Sequence, residues 1–203
     1  MVFWVKTPIL LQFLIPNVTW RKKNLEKVIF LTFDDGPIPI VTPAILEILK
    51  KFNAKATFFC VGENVKTNRD IFDKLLEDGH SVGNHTFNHL NGSLTKTKDY
   101  LNNVSECAKY VNSKLFRPPF GRLRWSQKRF LKKHYDLIYW DVLSWDFDSN
   151  ITKEKCLTNV LENTKSGSIV LFHDSIKSEP RVLYALPRVL EHFSELGFTF
   201  QKL

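Results

Sequence analysis

Short runs of apolar residues alternate along this chain with segments in which apolar residues recur every three or four positions. Residues 28–33 are nearly all apolar, which is typical of a strand that is buried on both faces of a parallel sheet. A helix is predicted next, with Thr42 as its N-cap, Pro43 at its first position and apolar side chains recurring through Phe52. Such an alternation predicts an α/β fold in which helices pack on a mostly parallel sheet.

The same alternation continues to the end of the chain and predicts about seven strands and six helices. Right-handed crossovers between such strands imply a parallel sheet that is either closed as an incomplete barrel or left open. The other predicted strands are residues 56–61, 81–84, 115–116, 137–142, 168–172 and 198–201. The other predicted helices are residues 71–78, 95–113, 125–134, 152–165 and 181–195, and the first of these is expected to bury Ile71, Phe72, Leu75 and Leu76.

The length of 203 residues suits one domain, because chains usually divide only beyond roughly 250 residues. Hydrophobic residues make up 43% and charged residues 25%, and this composition excludes general disorder. We predict one domain over residues 28–203 and an N-terminal segment, residues 1–27, that packs on it.

The N-terminal segment contains one apolar run, residues 9–15. This run is too short for a membrane span, which needs ~20 residues. It also lacks the several positive charges before it and the small-residue cleavage site after it that a secretory signal carries. We therefore expect no transmembrane segment and, by default, a cytoplasmic monomer, with action outside the cytoplasm left open.

The net charge of +8 biases the chain toward anionic surfaces without defining a function. Specific nucleic-acid binding needs clustered cations interleaved with stacking aromatic residues, and the sequence shows no such stripe. The three cysteines, Cys60, Cys107 and Cys156, are too few and too scattered for a disulfide framework or a cysteine zinc cluster. We predict that they are free, buried thiols.

Two adjacent carboxylates, Asp34 and Asp35, come directly after the first predicted strand and before Gly36-Pro37. Adjacent carboxylates at the end of a buried strand repel each other unless a cation or a proton relieves them. A solvated Asp-Asp-Gly-Pro turn explains the same residues without any function.

His85 and His89 follow the third predicted strand and are four residues apart. On a helical turn this spacing presents both imidazoles on one side, close enough to hold one metal ion. Two surface histidines in a polar loop are the alternative. A carboxylate from Asp34 or Asp35 completes a His₂-carboxylate set, which is typical of catalytic metal sites with an open position.

Three more polar motifs follow later predicted strands: Arg-Pro-Pro-Phe-Gly at 117–121, Trp-Asp-Val-Leu-Ser-Trp-Asp-Phe at 140–147, and His173-Asp174. Each has a simple structural explanation when it is taken alone. In parallel α/β folds, however, ligands bind at the carboxyl ends of the strands. Five polar motifs at five such ends therefore predict one shared site.

These five motifs, in this order, resemble those of the polysaccharide deacetylases of carbohydrate esterase family four, which share the NodB homology domain. The resemblance runs from about Val28 to the end of the chain. It implies a distorted (β/α)7 barrel with parallel strands that carries one divalent metal ion, usually zinc. It also implies a hydrolase acting on carbon–nitrogen bonds other than peptide bonds, which removes N- or O-acetyl groups from an amino sugar or polysaccharide such as chitooligosaccharide or peptidoglycan.

The resemblance also implies a role for each matching residue. Asp35, His85 and His89 are expected to bind the metal. Asp34 is expected to act as general base, His173 as general acid, and Arg117 to position the base. Substrate-binding or supporting roles are expected for Pro119, Phe120, Trp140, Asp141, Asp146 and Asp174, with Asp174 orienting the imidazole of His173.

The chain departs from the family pattern at three positions. Leu143 stands where many relatives have an aspartate that tunes the catalytic acid. Phe120 replaces the usual tyrosine, so that the backbone donor is kept and a hydroxyl is lost. Phe147 stands where a tryptophan often closes the fourth motif. These departures predict a different substrate wall and leave the tuning of the acid open.

Two alternatives to deacetylation remain at the level of sequence. Hydrolysis of another linear or cyclic amide or imide uses the same metal chemistry. A noncatalytic carbohydrate-binding protein keeps the fold without turnover, although it has no reason to hold an acid, a base and three metal ligands together.

Overall fold

The computed structural model describes residues 4–23 and 26–203. Its β-strands pair in parallel throughout, in the order β5-β4-β3-β2-β1-β7-β6, with β8 added on β1. The strands are β1 Val28–Asp34, β2 Ala56–Cys60, β3 Ser81–Asn84, β4 Leu115–Phe116, β5 Asp136–Leu137, β6 Val142–Leu143, β7 Ile169–His173 and β8 Thr199–Phe200.

The helices cover the outside of the sheet and bury one face each, apart from the first. They are α1 Ile9–Leu14, α2 Val41–Lys51, α3 Gly62–Thr67, α4 Arg69–Glu77, α5 Thr97–Ala108, α6 Trp125–Leu131, α7 Lys153–Asn163 and α8 Glu179–Glu195, with a 3₁₀ turn at Pro119–Gly121. The sheet curls into a half-barrel, which confirms the predicted distorted (β/α)7 barrel.

The central strand β1 is buried along its whole length, as its apolar sequence predicts. It lies between β2 and β7, with Leu31 opposite Ala56 and Phe30 opposite Ile169. The ring of Phe33 stacks on Phe58 at 4.9 Å and on Phe172 at 6.0 Å between centroids. Such aromatic packing stabilises the centre of the sheet beyond the area it buries.

The predicted strand 137–142 is wrong, because the structure divides it into β5 and β6, which lie at opposite edges of the sheet. Residues 138–141 cross between these edges. Tyr139 donates its backbone N–H to Thr19, and Asp141 donates its own to Ile169. The backbone of the crossing segment is thus paired with the N-terminal segment on one side and with β7 on the other, as buried backbone must be.

The helix predictions need three corrections. Thr42 is the second residue of α2 and not its N-cap. Its hydroxyl accepts the backbone N–H of Ile38 and donates to the buried carboxylate of Asp174. Leu76, predicted to be buried, is 41% exposed. Helix α3 was not predicted, since Val65 is its one buried apolar side chain and gives no periodicity.

The N-terminal segment contacts the sheet at separated points. Lys6, Thr19 and Arg21 form isolated bridges with Val142, Ile138 and Ser168 respectively. Trp20 is buried, whereas α1 has no buried residue. The division of the chain at residues 27 and 28 stays a prediction.

All three cysteines are free and buried, as predicted. Within residues 4–23 and 26–203, no helix has the length and apolar character needed to cross a bilayer.

Candidate active site

A cleft of about 270 Å³ opens at the carboxyl ends of the strands. The residues that line it lie in β1, β6 and β7 or in the segments that follow β1, β3, β4, β5, β6 and β7. Its lining consists of Asp34, Asp35, His85, His89, Phe120, Trp140, Leu143, Phe147, Leu171, His173 and Lys177. The structure therefore brings side chains from all five sequence motifs to one place, where parallel α/β folds bind their ligands.

Asp35, His85 and His89 form a compact group in the wall of this cleft. Each offers one ligand atom, and these atoms all lie within 4.8 Å of one another. The Nε2 atoms of His85 and His89 lie 3.8 Å and 3.2 Å from Oδ1 of Asp35. The carboxylate that joins the histidines is thus Asp35, one of the two candidates left by spacing alone.

The two histidines are brought together by a loop and not by the helical turn that their spacing suggested. Thr86 and His89 both have left-handed backbone, with φ of 65° and 53°. Asn84 accepts the backbone N–H of Thr86 through its side chain, and the loop is paired with α5 through Asn103. The imidazole rings lie 5.1 Å apart between centroids. The two imidazoles thus lie on one side, as expected, although a loop and not a helical turn places them there.

Left-handed backbone recurs around the cleft at residues other than glycine. Such conformations cost about 1–3 kcal/mol each and persist only where the surroundings enforce them. They aim side chains that a regular strand or helix cannot aim. The residues concerned are Asp35, Thr86, His89, Phe120 and Trp145.

The carboxylate of Asp35 carries a buried oxygen, Oδ1, that has no hydrogen-bond partner. Burial opposes its ionisation, but contact with His89 and the nearby imidazoles of His173 and His85 outweigh this and lower the pKa of Asp35. A buried, ionised oxygen needs a donor or a cation as its partner. Because this oxygen has no donor and faces two ring nitrogens, it is suited to bind a metal ion.

His85 has its ring orientation fixed from behind. Its Nδ1 lies 2.7 Å from the carbonyl oxygen of Arg117, to which it donates in the neutral tautomer. Burial lowers the pKa of His85 to about 4, although the charge of Asp34 opposes this. The ring is therefore neutral near pH 7 and presents the Nε2 lone pair to Asp35, the arrangement in which histidines bind metals.

Asp34 is held by the buried guanidinium of Arg117. Nη1 of Arg117 donates to Oδ1 of Asp34 at 2.7 Å and to the hydroxyl of Thr32 at 2.8 Å. Burial lowers the pKa of Arg117, while the charge of Asp34 opposes this change. The other oxygen of Asp34, Oδ2, is turned toward His85 at 3.8 Å. Arg117 thus positions one oxygen of Asp34 and leaves the second facing the cleft.

The imidazole of His173 is oriented by Asp146. Its Nδ1 lies 2.7 Å from Oδ1 of Asp146, whose Oδ2 accepts the backbone N–H of His173 at the same distance. Burial favours the neutral ring, but the charge and hydrogen bond of Asp146 outweigh burial and raise the pKa of His173 to about 9. Asp146 therefore both orients the ring of His173 and favours its charged form, whereas Leu143 carries no charge.

Asp174 does not orient His173, and that expectation is wrong. Its carboxylate accepts the backbone N–H of Gly36 at 2.8 Å and the hydroxyl of Thr42 at 2.6 Å. Burial raises the pKa of Asp174 to about 8, against these two hydrogen bonds. A Cβ at Gly36 would lie 1.8 Å from Asp174, so this close approach requires glycine. Asp174 therefore fixes the loop that carries Asp35.

The remaining predicted residues divide into two groups. Trp140 and Phe120 line the cleft, and Phe120 packs on the ring of His89 at 4.8 Å. Pro119 is buried and does not line the cleft. Asp141 lies outside the cleft, because its carboxylate is bound by Lys6, Ser168 and the backbone of Ile169. Its predicted substrate or supporting role is not what the contacts indicate.

Two residues of the cleft wall were not predicted. Leu171 lies inside the apolar run of β7, where alternation along the strand could have placed it on the cleft side. Lys177 follows His173 by four residues in a loop, and no local pattern distinguishes it from other lysines of the chain.

The polysaccharide deacetylase family model matches residues 21–136, which is more than half of the 203 residues. The chain belongs to the polysaccharide deacetylase family. The resemblance drawn from the five motifs is confirmed. The deacetylases named among its relatives are hydrolases of carbon–nitrogen bonds other than peptide bonds, and the chain shares this enzyme class.

Several relatives have similar sequences over most of the chain. A peptidoglycan-N-acetylglucosamine deacetylase of Bacillus cereus is 35% identical over 193 residues, covering 90% of this chain and 89% of the relative. A chitooligosaccharide deacetylase of Azorhizobium caulinodans is 31% identical, with 88% and 93% covered. A peptidoglycan-N-acetylglucosamine deacetylase of Listeria monocytogenes is 33% identical, and this chain spans 40% of its length.

Solved structures of family members have the same fold. A peptidoglycan N-acetylglucosamine deacetylase superposes with a TM-score of 0.88 at 28% identity, covering 97% of this chain and 95% of the other. A family 4 carbohydrate esterase from Streptomyces lividans, in complex with acetate, gives 0.77 at 25% identity, with 86% and 91% covered. A family pseudoenzyme from Bacillus anthracis gives 0.79 at 26% identity, with 93% and 68% covered.

Proposed function

We propose that this protein removes N-acetyl groups from N-acetylglucosamine units of peptidoglycan or chitooligosaccharide, with a divalent metal ion held by Asp35, His85 and His89. The observation that carries the proposal is the group of three ligand atoms within 4.8 Å, set in a cleft that Asp34 and His173 also line. Relatives named for both substrates support it.

The donor set fits a metal ion. Asp35 Oδ1 is buried without a hydrogen-bond donor, and His85 presents a neutral ring nitrogen whose orientation the carbonyl of Arg117 fixes. Two imidazoles and a carboxylate suit zinc first, and also cobalt, nickel or manganese. When bound, such an ion supplies a Lewis acid that polarises the acetyl carbonyl and makes water a stronger nucleophile.

Asp34 is proposed to accept the proton of the attacking water. Its Oδ1 is occupied by Arg117 at 2.7 Å, so Oδ2 is the atom that faces the reacting groups. A general base needs a fixed lone pair within hydrogen-bond reach of the proton that it takes. The bonds from Arg117 supply that fixed orientation.

His173 is proposed to protonate the departing amine. Asp146 engages Nδ1, which leaves the Nε2 edge of the ring as the proton donor. Because the pKa of His173 is raised to about 9, the imidazole is charged near pH 7 and holds the proton that breaking the C–N bond requires.

The remaining wall of the cleft fits a small apolar group. Leu143, Leu171 and Trp140 line it beside the polar side chains. An acetyl methyl group buried against these side chains leaves water, which favours binding by about 0.8 kcal/mol per carbon. Leu143, one of the three departures from the family pattern, thus adds apolar contact to this wall.

The proposal is tested by acetate release from acetylated chitooligosaccharides, peptidoglycan fragments and acetylated xylan, with and without a chelator. We expect release from the first two, loss of release on chelation and recovery on adding zinc. Asp34→Asn and His173→Ala should each lower turnover by at least ~100-fold while metal content stays unchanged. Near-normal turnover in either variant would contradict the assigned roles.

The alternatives give different results in the same experiment. Hydrolysis of other amides or imides without acetate release would favour a different substrate class. Stoichiometric metal and sugar binding without any turnover would favour a noncatalytic protein, a class that the Bacillus anthracis pseudoenzyme shows within this fold. The monomeric state and the cytoplasmic location stay predictions.

A further inference from the structure

Helix α1 exposes almost all of its apolar surface. Ile9, Leu10, Phe13 and Leu14 are each 69% to 77% exposed, and α1 contributes no buried residue. A single exposed apolar side chain is ordinary, but a contiguous group of four large ones on one short helix is not. Such a group indicates a surface that binds another molecule or a membrane.

Cations of α6 and the turn after it lie beside this helix. Leu14 and Pro16 share one groove with Trp125, Lys128, Arg129, Lys132 and Lys133. Nζ of Lys128 donates to the carbonyl of Pro16 at 2.7 Å, which joins the two parts. Trp125 is 74% exposed, and the guanidinium of Arg129 lies 5.5 Å from its ring centroid. We call these side chains and those of α1 the apolar-basic face.

The charges of this face are not balanced by acidic residues nearby in sequence. The segment before Glu26 contains no Asp or Glu, and neither does the stretch from Cys107 to Tyr135 that includes α6. The face shares no residue with the lining of the cleft. Its composition is therefore explained neither by local ion pairing nor by the proposed chemistry.

We propose that the apolar-basic face docks on the surface of an anionic lipid bilayer. Exposed Leu, Ile and Phe side chains gain by entering the acyl boundary, while Lys and Arg meet the headgroup phosphates and Trp125 sits at the interface. This combination is the one by which interfacial helices bind anionic membranes.

The same features argue against other occupants. A nucleic acid or a hydrophilic anionic polymer would meet the cations but offers no apolar phase for the side chains of α1. A second copy of this chain, placed symmetrically on the same face, would bring four cations against four. A bilayer satisfies both the apolar and the basic part.

The test is co-sedimentation of the full chain with vesicles of phosphatidylcholine alone or of phosphatidylcholine mixed with phosphatidylglycerol. Binding is expected only to the mixed vesicles and should weaken as salt rises. Leu10→Ser with Phe13→Ser should weaken binding by at least ~10-fold through lost burial. Lys132→Glu with Lys133→Glu should do so by at least ~10-fold through lost headgroup attraction, with α1 left intact.

Matched controls separate the face from general effects. Lys50→Glu with Lys51→Glu makes the same change in net charge on exposed residues of α2, and Leu196→Ser removes an exposed leucine after α8. Both controls should bind mixed vesicles as the unaltered protein does, and all variants should release acetate from soluble chitooligosaccharide at unchanged rates.

Three results would overturn the proposal. One is the absence of binding to mixed vesicles, and another is an equal loss in the control variants. The third is a concentration-dependent dimer, without vesicle binding, that Leu10→Ser with Phe13→Ser dissociates, because it assigns the face to a second copy.

Discussion

Asp34 and Asp35 are adjacent in the chain but have different surroundings. Asp34 accepts from the buried guanidinium of Arg117, whereas Oδ1 of Asp35 has no donor and faces two imidazoles. The backbone of Asp35, with φ of 92°, turns the second carboxylate away from the strand direction. The proposed roles, proton transfer for Asp34 and metal binding for Asp35, rest on this difference.

The resemblance identified the motif residues and the pairing of Arg117 with Asp34, whereas the partners of His173 and Asp174 were not predicted. Asp174 is adjacent to His173 and was expected to orient it, yet Asp146 does so from 27 residues away. Adjacent residues at a strand end point to opposite sides of the sheet. The side chains of His173 and Asp174 therefore do not meet. Partnership between distant loops depends on the backbone of both, which no local pattern encodes.

Asp146→Asn tests whether the charge of Asp146 keeps the imidazole of His173 protonated. An asparagine oxygen can still accept from Nδ1 of His173, but the negative charge that raises its pKa is lost. The acid is active while protonated, so activity is present below the pKa of His173 and falls as pH rises through it. We expect the alkaline limb of the pH–rate profile, near 9 in the unaltered protein, to move down by at least about one pH unit.

The control for this change is Asp148→Asn. Asp148 lies two residues further on, accepts from Asn150 and does not contact His173 in the part of the chain that the structure describes. Its profile should coincide with that of the unaltered protein. An unchanged alkaline limb in Asp146→Asn would show that Asp146 is merely structural.

At the level of elements, the crossing segment between β5 and β6, residues 138–141, is the part of the fold that sequence patterns missed. We call this segment the seam. Residues 137–142 form one apolar run, and periodicity cannot show that its two ends pair with opposite edges of a sheet. The other strands were predicted within two residues, and the longest of them, β1, β2 and β7, are buried apolar runs. The seam depends on long-range pairing with Thr19 and Ile169.

Asp141→Ala tests whether this residue stabilises the seam or contributes to substrate binding. The buried carboxylate accepts from Lys6, Ser168 and Ile169. Its removal leaves the hydroxyl of Ser168 and the backbone N–H of Ile169 without this acceptor, whereas Lys6 keeps the carbonyl of Asn163. We expect the free energy of unfolding in urea to fall by ~2–4 kcal/mol. Acetate release below the melting temperature should stay within ~3-fold of normal, because Asp141 does not line the cleft.

Lys6→Met is the matched variant on the other side of this ion pair. Lys6 is partly exposed and Asp141 keeps its other two donors, so the loss of unfolding free energy should be smaller, at ~1 kcal/mol. Loss of acetate release in Asp141→Ala with unchanged stability would restore the substrate role that the family pattern suggested.

At the level of the whole molecule, the fold class and the position of the site followed from one physical rule. Parallel strands share their carboxyl ends, so polar motifs after successive strands meet. The apolar-basic face did not follow, because residues 9–15 and 125–133 are distant in sequence and each looks ordinary alone. Surfaces composed of two distant segments become visible only when the chain is folded.

The most direct measurement of the central claim is a crystal structure of the protein with zinc, collected at the zinc absorption edge. We predict one anomalous peak at about 2.0–2.2 Å from a carboxylate oxygen of Asp35 and from Nε2 of both His85 and His89. His85→Ala should lose this peak and acetate release together. A zinc-dependent enzyme whose peak lies away from these three residues would contradict the account.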